Sequence, residues 1–240
     1  MKTATKSPAL AKLAAVAGFT CALSGCTIVG QGEGQVRSDH LYAIDCWDGE
    51  FELRPDFFAA VPFDDTMTLR IQRGNDLQEF SDGMVLTVDG VSDIRPVACT
   101  LNSDCASGTC GADGMCEAED RRGQPVRVGL PPQLAMELAP AEPQEPAPVS
   151  LSIFLNFSCR SKNTTLYAID GTIVFNELFS NDPNENDGDE KITDATFDVT
   201  VADPRDAPAG TLDVPADRTT RLTGDFSFVF QRGQPGQPFP

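Results

Sequence analysis

Apolar residues recur at every second position over much of this chain. Met67, Leu69 and Ile71 alternate with Thr68, Arg70 and Gln72, and Met84, Leu86 and Val88 alternate with Val85, Thr87 and Asp89. Successive side chains of a strand point to opposite faces, so this period predicts half-buried strands. The second half repeats it: Leu151, Ile153, Leu155, Phe157 and Cys159 share one parity, as do Ala195, Phe197, Val199 and Val201. Phe226, Phe228 and Phe230 share a face opposite Asp225, Ser227 and Gln231. No comparable helical period follows residue 26. Many short alternating runs punctuated by Gly, Pro, Asn and Asp predict an all-β fold, an antiparallel sandwich or barrel, and of the two a β-sandwich with a disulfide-stapled Cys-rich insertion is expected.

The segments divide the chain. Residues 26–39, with Gly30, Gly32 and Gly34 and few apolar side chains, read as a flexible tether. Residues 40–98 form the first half of the sandwich and 150–240 the second. Between them, 99–149 is a Cys-rich insertion ending in the Pro/Glu/Ala linker 139–148, with short strands expected at 126–130 and 134–138. Leu41-Tyr42-Ala43-Ile44-Asp45 recurs as Leu166-Tyr167-Ala168-Ile169-Asp170, and Ile71-Gln72-Arg73-Gly74 is echoed by Phe230-Gln231-Arg232-Gly233. The spacings between echoes differ, so similar strands choosing similar residues explain them better than a repeat does.

The first 25 residues have a separate logic. Lys2, Lys6 and Lys12 precede an apolar run over 13–23 that is too short to span a bilayer, and Leu23-Ser24-Gly25-Cys26 follows. That tetrapeptide resembles the lipobox of bacterial lipoproteins, and the chain as a whole resembles the large group of bacterial surface lipoproteins of unassigned function. The resemblance implies a signal peptide over 1–25, lipid attachment at Cys26 and a place in the bacterial cell envelope, at the outer membrane, facing the periplasm or the surface. Two or three acyl chains anchor durably where one holds only marginally. Loss of the three lysines takes the formal charge from -18 to -21. Such acidity argues against a nucleic-acid partner and against electrostatic binding to anionic lipid, which leaves membrane attachment to the anchor.

Eight cysteines become six once Cys21 leaves with the signal and Cys26 is acylated, and an even number in an exported chain predicts disulfides. Cys46 and Cys159 each end an alternating run and are natural partners across the core. Cys99, Cys105, Cys110 and Cys116 form a cluster with three possible internal pairings. Zinc would want C-x2-C pairs and a reducing compartment. The cluster resembles short Cys-rich modules of surface and secreted proteins, carried here by Cys99, Asp104-Cys105, Gly108, Cys110, Gly114 and Cys116. That resemblance implies a stapled loop.

Asp182, Asn184, Asn186, Asp187, Asp189 and Glu190 form the one candidate metal site, for weak calcium binding at most, since Gly188 stands one position late for an EF-type loop. No other cofactor is expected. His40 is the only histidine, and no nucleophile elbow, zinc-protease helix or P-loop is present, so no enzyme is expected. A glycoside hydrolase using a carboxylate pair is the enzymatic alternative. The expected role is binding or adhesion at the envelope, with an envelope protein or glycan as partner, and an envelope structural or assembly role is the alternative.

Overall fold

The computed structural model of the protein describes residues 28–63, 65–74, 77–96, 99–105, 108–112, 114–116, 120–140, 145–160, 162, 164–179 and 192–230. The signal segment, Cys26, the calcium candidates from Asp182 to Glu190, and the end of the second echo lie outside the described residues. The strands are β1 (Ile28–Ala43), β2 (Trp47–Leu53), β3 (Phe57–Phe63), β4 (Thr66–Arg73), β5 (Asp82–Asp89), β6 (Pro125–Gly129), β7 (Val149–Leu155), β8 (Thr165–Glu177), β9 (Ile192–Ala202) and β10 (Thr220–Phe230), with one helix, α1 (Pro132–Leu138). The fold is all-β, as the alternation requires.

All ten strands belong to one sheet. β2 and β3 both pair with β1 in almost continuous register, Val36 opposite Leu53 and Gly30 opposite Phe58, with a break around Pro55. The order then runs β3, β4, β5, β7, β8, β9, β10, and β10 pairs back onto β1. Main-chain hydrogen bonding therefore closes on itself, so the two halves expected as facing layers of a sandwich are joined at both edges. Alternation reports that one face is buried; it carries no information on whether edge strands meet.

Closure explains how the core is filled. Phe58, Ile71, Met84, Ile153 and Leu166 form one rung across five neighbouring strands, and Ala60, Leu69, Leu86 and Leu151 form the next. On the other side, Phe175, Ala195 and Phe226 stand in register. All of these are buried. A ring of about eight strands has an interior that side chains can fill, and these buried residues form one continuous core inside it. The outward positions carry Asp194, Asp198, Arg221 and Asp225, the last in register with Gln35. This polarity is the inverse of a lipid-facing barrel.

Two expectations are corrected. Residues 28–39 are not a tether but most of β1, a strand of 16 residues. Gly32 and Gly34 stand opposite Phe228 and Phe226, and a Cβ at Gly32 would come within 2.3 Å of the Cβ of Phe228. The glycines leave room for the aromatic side chains of the neighbouring strand, which supply the packing that the glycines lack. Residues 134–138 are likewise not a strand: they belong to α1. Pro132 at its first turn has φ preset for a helix, Ala135, Met136, Glu137 and Leu138 are good helix formers, and Leu134 and Leu138 are one turn apart. The expected strand at 126–130 is present as β6, which is wedged between β7, to which it is parallel, and β8.

The pentapeptide echo falls on the end of β1 and the start of β8. Leu41 and Leu166 are buried, as are Ala43 and Ala168, so matching residues occupy matching parities. These two strands are an odd number of steps apart around an antiparallel ring and run in opposite directions, which a duplication of half the ring would not produce.

Candidate functional site

β2 parts company with β4 at the edge of the ring. Asp56 marks the place: its N–H donates to the Gln72 carbonyl at 3.0 Å, and its carboxylate accepts from the Gly74 N–H at 2.9 Å. Beyond it β4 turns toward β5, while the other strand continues as β2, whose only strand partner among the described residues is β1. A groove of about 460 Å³ lies between β2 and the loops leading into β5 and out of β7.

Its floor is apolar and its far wall is aromatic. Phe51 and Leu53 are buried beneath it. Phe80 and Phe157 stand on the far wall, 62% and 54% exposed, although large apolar side chains of this kind normally seek the core. Trp47 closes one end, edge-on to Phe51 with ring centroids 5.7 Å apart, and its indole N–H donates to the Glu50 carbonyl at 3.2 Å.

Both walls are held rigidly. Asp45 takes a left-handed backbone at φ 56°, which aspartate tolerates better than most residues, and turns β1 into β2. Cys46 follows at once and is disulfide-bonded to Cys159, with Cα atoms 5.6 Å apart. Lys162 pairs with Asp45 at 2.5 Å across the same two loops, and this hydrogen-bonded ammonium holds the Asp45 carboxyl below its ordinary range. On the far wall the Asp82 carboxylate accepts the N–H groups of Phe157 and Ser158, each at 3.0 Å, and the Ser158 hydroxyl at 2.5 Å. Asn156 donates its amide to the Gln78 carbonyl at 2.9 Å. β7 has ended at Leu155, so Phe157 does not continue the buried parity expected of it and is instead displayed on a turn.

The charge left over in the groove is positive. Arg160 lies over the Phe157 ring, 4.7 Å from its centroid, a cation–π contact. Arg73 and Arg160 both line the groove, and neither has a carboxylate partner among the described residues. The two acids at the groove are committed: Asp82 to the turn, and Glu52 to Arg54 and Gln35, whose hydrogen bonds lower its pKa. Guanidiniums without a carboxylate partner among the described residues stand out in a chain of formal charge -18, because this is the group that pairs bidentately with carboxylates and phosphates.

Other candidates are built differently. A hollow of about 260 Å³ lies under α1, at the fork where β6 separates β7 from β8, and is lined by Val128, Ala135, Met136, Ala147 and Ile169. Its cation, Arg127, donates to the carbonyls of Glu145 and Pro146, both at 2.8 Å, and is spent on backbone. In the insertion, Cys99 is bonded to Cys110 and Cys105 to Cys116, two overlapping loops with Cα separations of 5.9 and 5.4 Å. The sulfurs of Cys99, Cys105 and Cys116 cluster because the two bridges stack, and bonded sulfurs offer no thiolate to a metal. His40 pairs with Asp48 at 2.7 Å, with its side chain 62% exposed.

Sequence reasoning placed Cys46 and Cys159 together and missed the groove. The available signal was local: Gln78-Glu79-Phe80-Ser81 and Asn156-Phe157-Ser158 each place one aromatic residue among polar neighbours, where a loop has no reason to hold one unless it meets something. No protein family matches the chain. No curated protein and no solved structure matches it either.

Proposed function

We propose that this chain is a lipid-anchored binding protein of the bacterial cell envelope, and that the groove beside β2 is its binding site. The observation that carries this reading is the pairing of exposed aromatic side chains with unopposed arginines on walls fixed by a disulfide. Trp, Phe and Arg are residue types enriched at recognition sites, and here Trp47 is half-buried while Phe80 and Phe157 are exposed. Their exposure costs the free protein apolar burial, and rigid presentation lowers the entropy lost on binding.

The anchor complements this arrangement. Acylation at Cys26 places the lipid two residues before β1, a reach of about 7 Å. β1 then rises away from the bilayer for 16 residues, about 50 Å of strand, and delivers the groove to the far end. A binding site displayed away from the membrane faces a partner in the surrounding space. The ligand chemistry that fits is an anionic group beside apolar surface.

Full-length protein extracted from membranes in mild detergent tests both halves of this reading. Intact mass is expected to show an acylated Cys26 as the first residue. A discrete partner is expected to co-purify, and the Arg73→Glu/Arg160→Glu double variant to lose most of it while keeping the wild-type melting temperature. An unmodified cysteine overturns the anchor; equal recovery of the partner with the double variant overturns the groove.

A further inference from the structure

Each strand of the closed ring has neighbours on both sides except one: among the described residues β2 pairs only with β1. The seven residues of β2 therefore present an open hydrogen-bonding edge, which proteins commonly cover, twist away or shorten because it templates the addition of another strand. Here no described strand covers the edge and it is seven residues long, with the Glu50 carbonyl accepting from the Trp47 indole, and it borders the groove.

We propose that an extended, acidic peptide segment of a partner protein adds to the free edge of β2 and fills the groove as an extra strand. The inference deepens the binding role proposed above and rests on it. A strand beside β2 lies about 4.8 Å from it and turns alternate side chains to opposite faces. One set faces the apolar floor of Phe51 and Leu53 and the rings of Phe80 and Phe157, so those residues are apolar. The other set lies on the solvent side of β2, whose own acids Asp48 and Glu52 are paired with His40 and with Arg54 and Gln35, and Asp or Glu residues in that set would take Arg73 and Arg160 of the groove lining as counter-ions. Main-chain hydrogen bonds then provide affinity and the pockets provide selectivity, the usual division in strand addition. A glycan could satisfy the arginines and stack on the rings, but it has no alternating N–H and C=O groups to use the edge. The indole N–H of Trp47 now donates to the Glu50 carbonyl on β2, and an incoming strand that competes for this carbonyl changes the surroundings of the indole. Trp47 is the only tryptophan, so its fluorescence reports this site alone.

The test begins with full-length protein in detergent, used to select from a display library of random decapeptides with counter-selection on the Arg73→Glu/Arg160→Glu variant. Enriched peptides are expected to alternate apolar with acidic residues and to shift Trp47 emission, with affinity falling as salt rises. Each is then remade with N-methyl groups on either of its two alternate sets of amides. One set is expected to weaken binding by at least about tenfold, because those N–H groups face β2, and the other to leave it unchanged. Equal effects of the two sets, or no effect of either, overturn strand addition. If no peptide is enriched over the variant but an oligogalacturonate shifts Trp47 emission, the groove stands as a binding site and strand addition fails. If neither shifts it, both readings fail.

Discussion

Replacing Cys46 and Cys159 together with alanine is expected to cost about 4–5 kcal/mol and to lower the melting temperature by roughly 10–15 °C. The bridge spans 113 residues of sequence, and closing a loop of about a hundred residues removes that much chain entropy from the unfolded state in the loop-closure model. A domain of this size shifts by about 2–4 °C per kcal/mol. The double substitution is the proper comparison, because a single one leaves a free thiol beside a buried partner. The Cys99–Cys110 and Cys105–Cys116 bridges each span 11 residues and tie the insertion to itself, without joining strands of the ring. Removing those two should loosen the insertion and leave the main transition within about 2 °C of the wild type. Calorimetry of the three proteins checks the contrast, and a Cys46/Cys159 variant melting with the wild type would refute it.

The second large effect belongs to the contact between β1 and β10. Phe228 is 1% exposed, stacks on Phe58 at 5.2 Å and lies 5.9 Å from Phe226. Phe228→Ala is expected to cost about 3–5 kcal/mol, the range for emptying a buried aromatic site. Gly32, directly opposite, probes the same contact from the other side. A methyl group there would meet the Ser227 carbonyl oxygen and the Cβ of Phe228, which are backbone or fixed to backbone and cannot move aside. Gly32→Ala should therefore destabilise by about 1–3 kcal/mol, as overpacking does. Were residues 28–39 a tether, the same change would stabilise slightly or do nothing, since alanine restricts only the unfolded chain. Urea unfolding of both variants separates these outcomes.

What was legible in the sequence was the part that side chains reveal by parity. The alternation through 67–71, 151–155 and 195–201 is present as strands, and Cys46 and Cys159, expected as partners, are bonded, although they sit in the turns after β1 and β7 and not on the strands themselves. β1 was hidden because Gly30, Gly32 and Gly34 have no side chains to show a parity, and their role is visible only once Phe226 and Phe228 are known to lie across from them. α1 was hidden for the opposite reason: in five residues Leu134, Met136 and Leu138 fit a period of two, while Leu134 and Leu138 also fit one helical turn. Length could not arbitrate there. Ring closure depends on β10 meeting β1, a pairing between residues nearly two hundred positions apart. The groove is a tertiary feature in the same sense, since Trp47 at the start of β2, Arg73 and Phe80 between the end of β4 and the start of β5, and Phe157 after β7 are brought together by one disulfide and by the hydrogen bonds of Asp82.

The binding role is tested most directly by site-specific photo-crosslinking in living cells. p-Benzoylphenylalanine replaces Phe157 on the groove wall in one strain. In another it replaces Phe63, which is 67% exposed as the last residue of β3, at the other end of the ring. The groove position is predicted to yield a discrete adduct with one envelope partner, an adduct that disappears when Arg73→Glu and Arg160→Glu are added, while the Phe63 position yields none. No adduct at position 157, or the same adduct from both positions, would contradict the account.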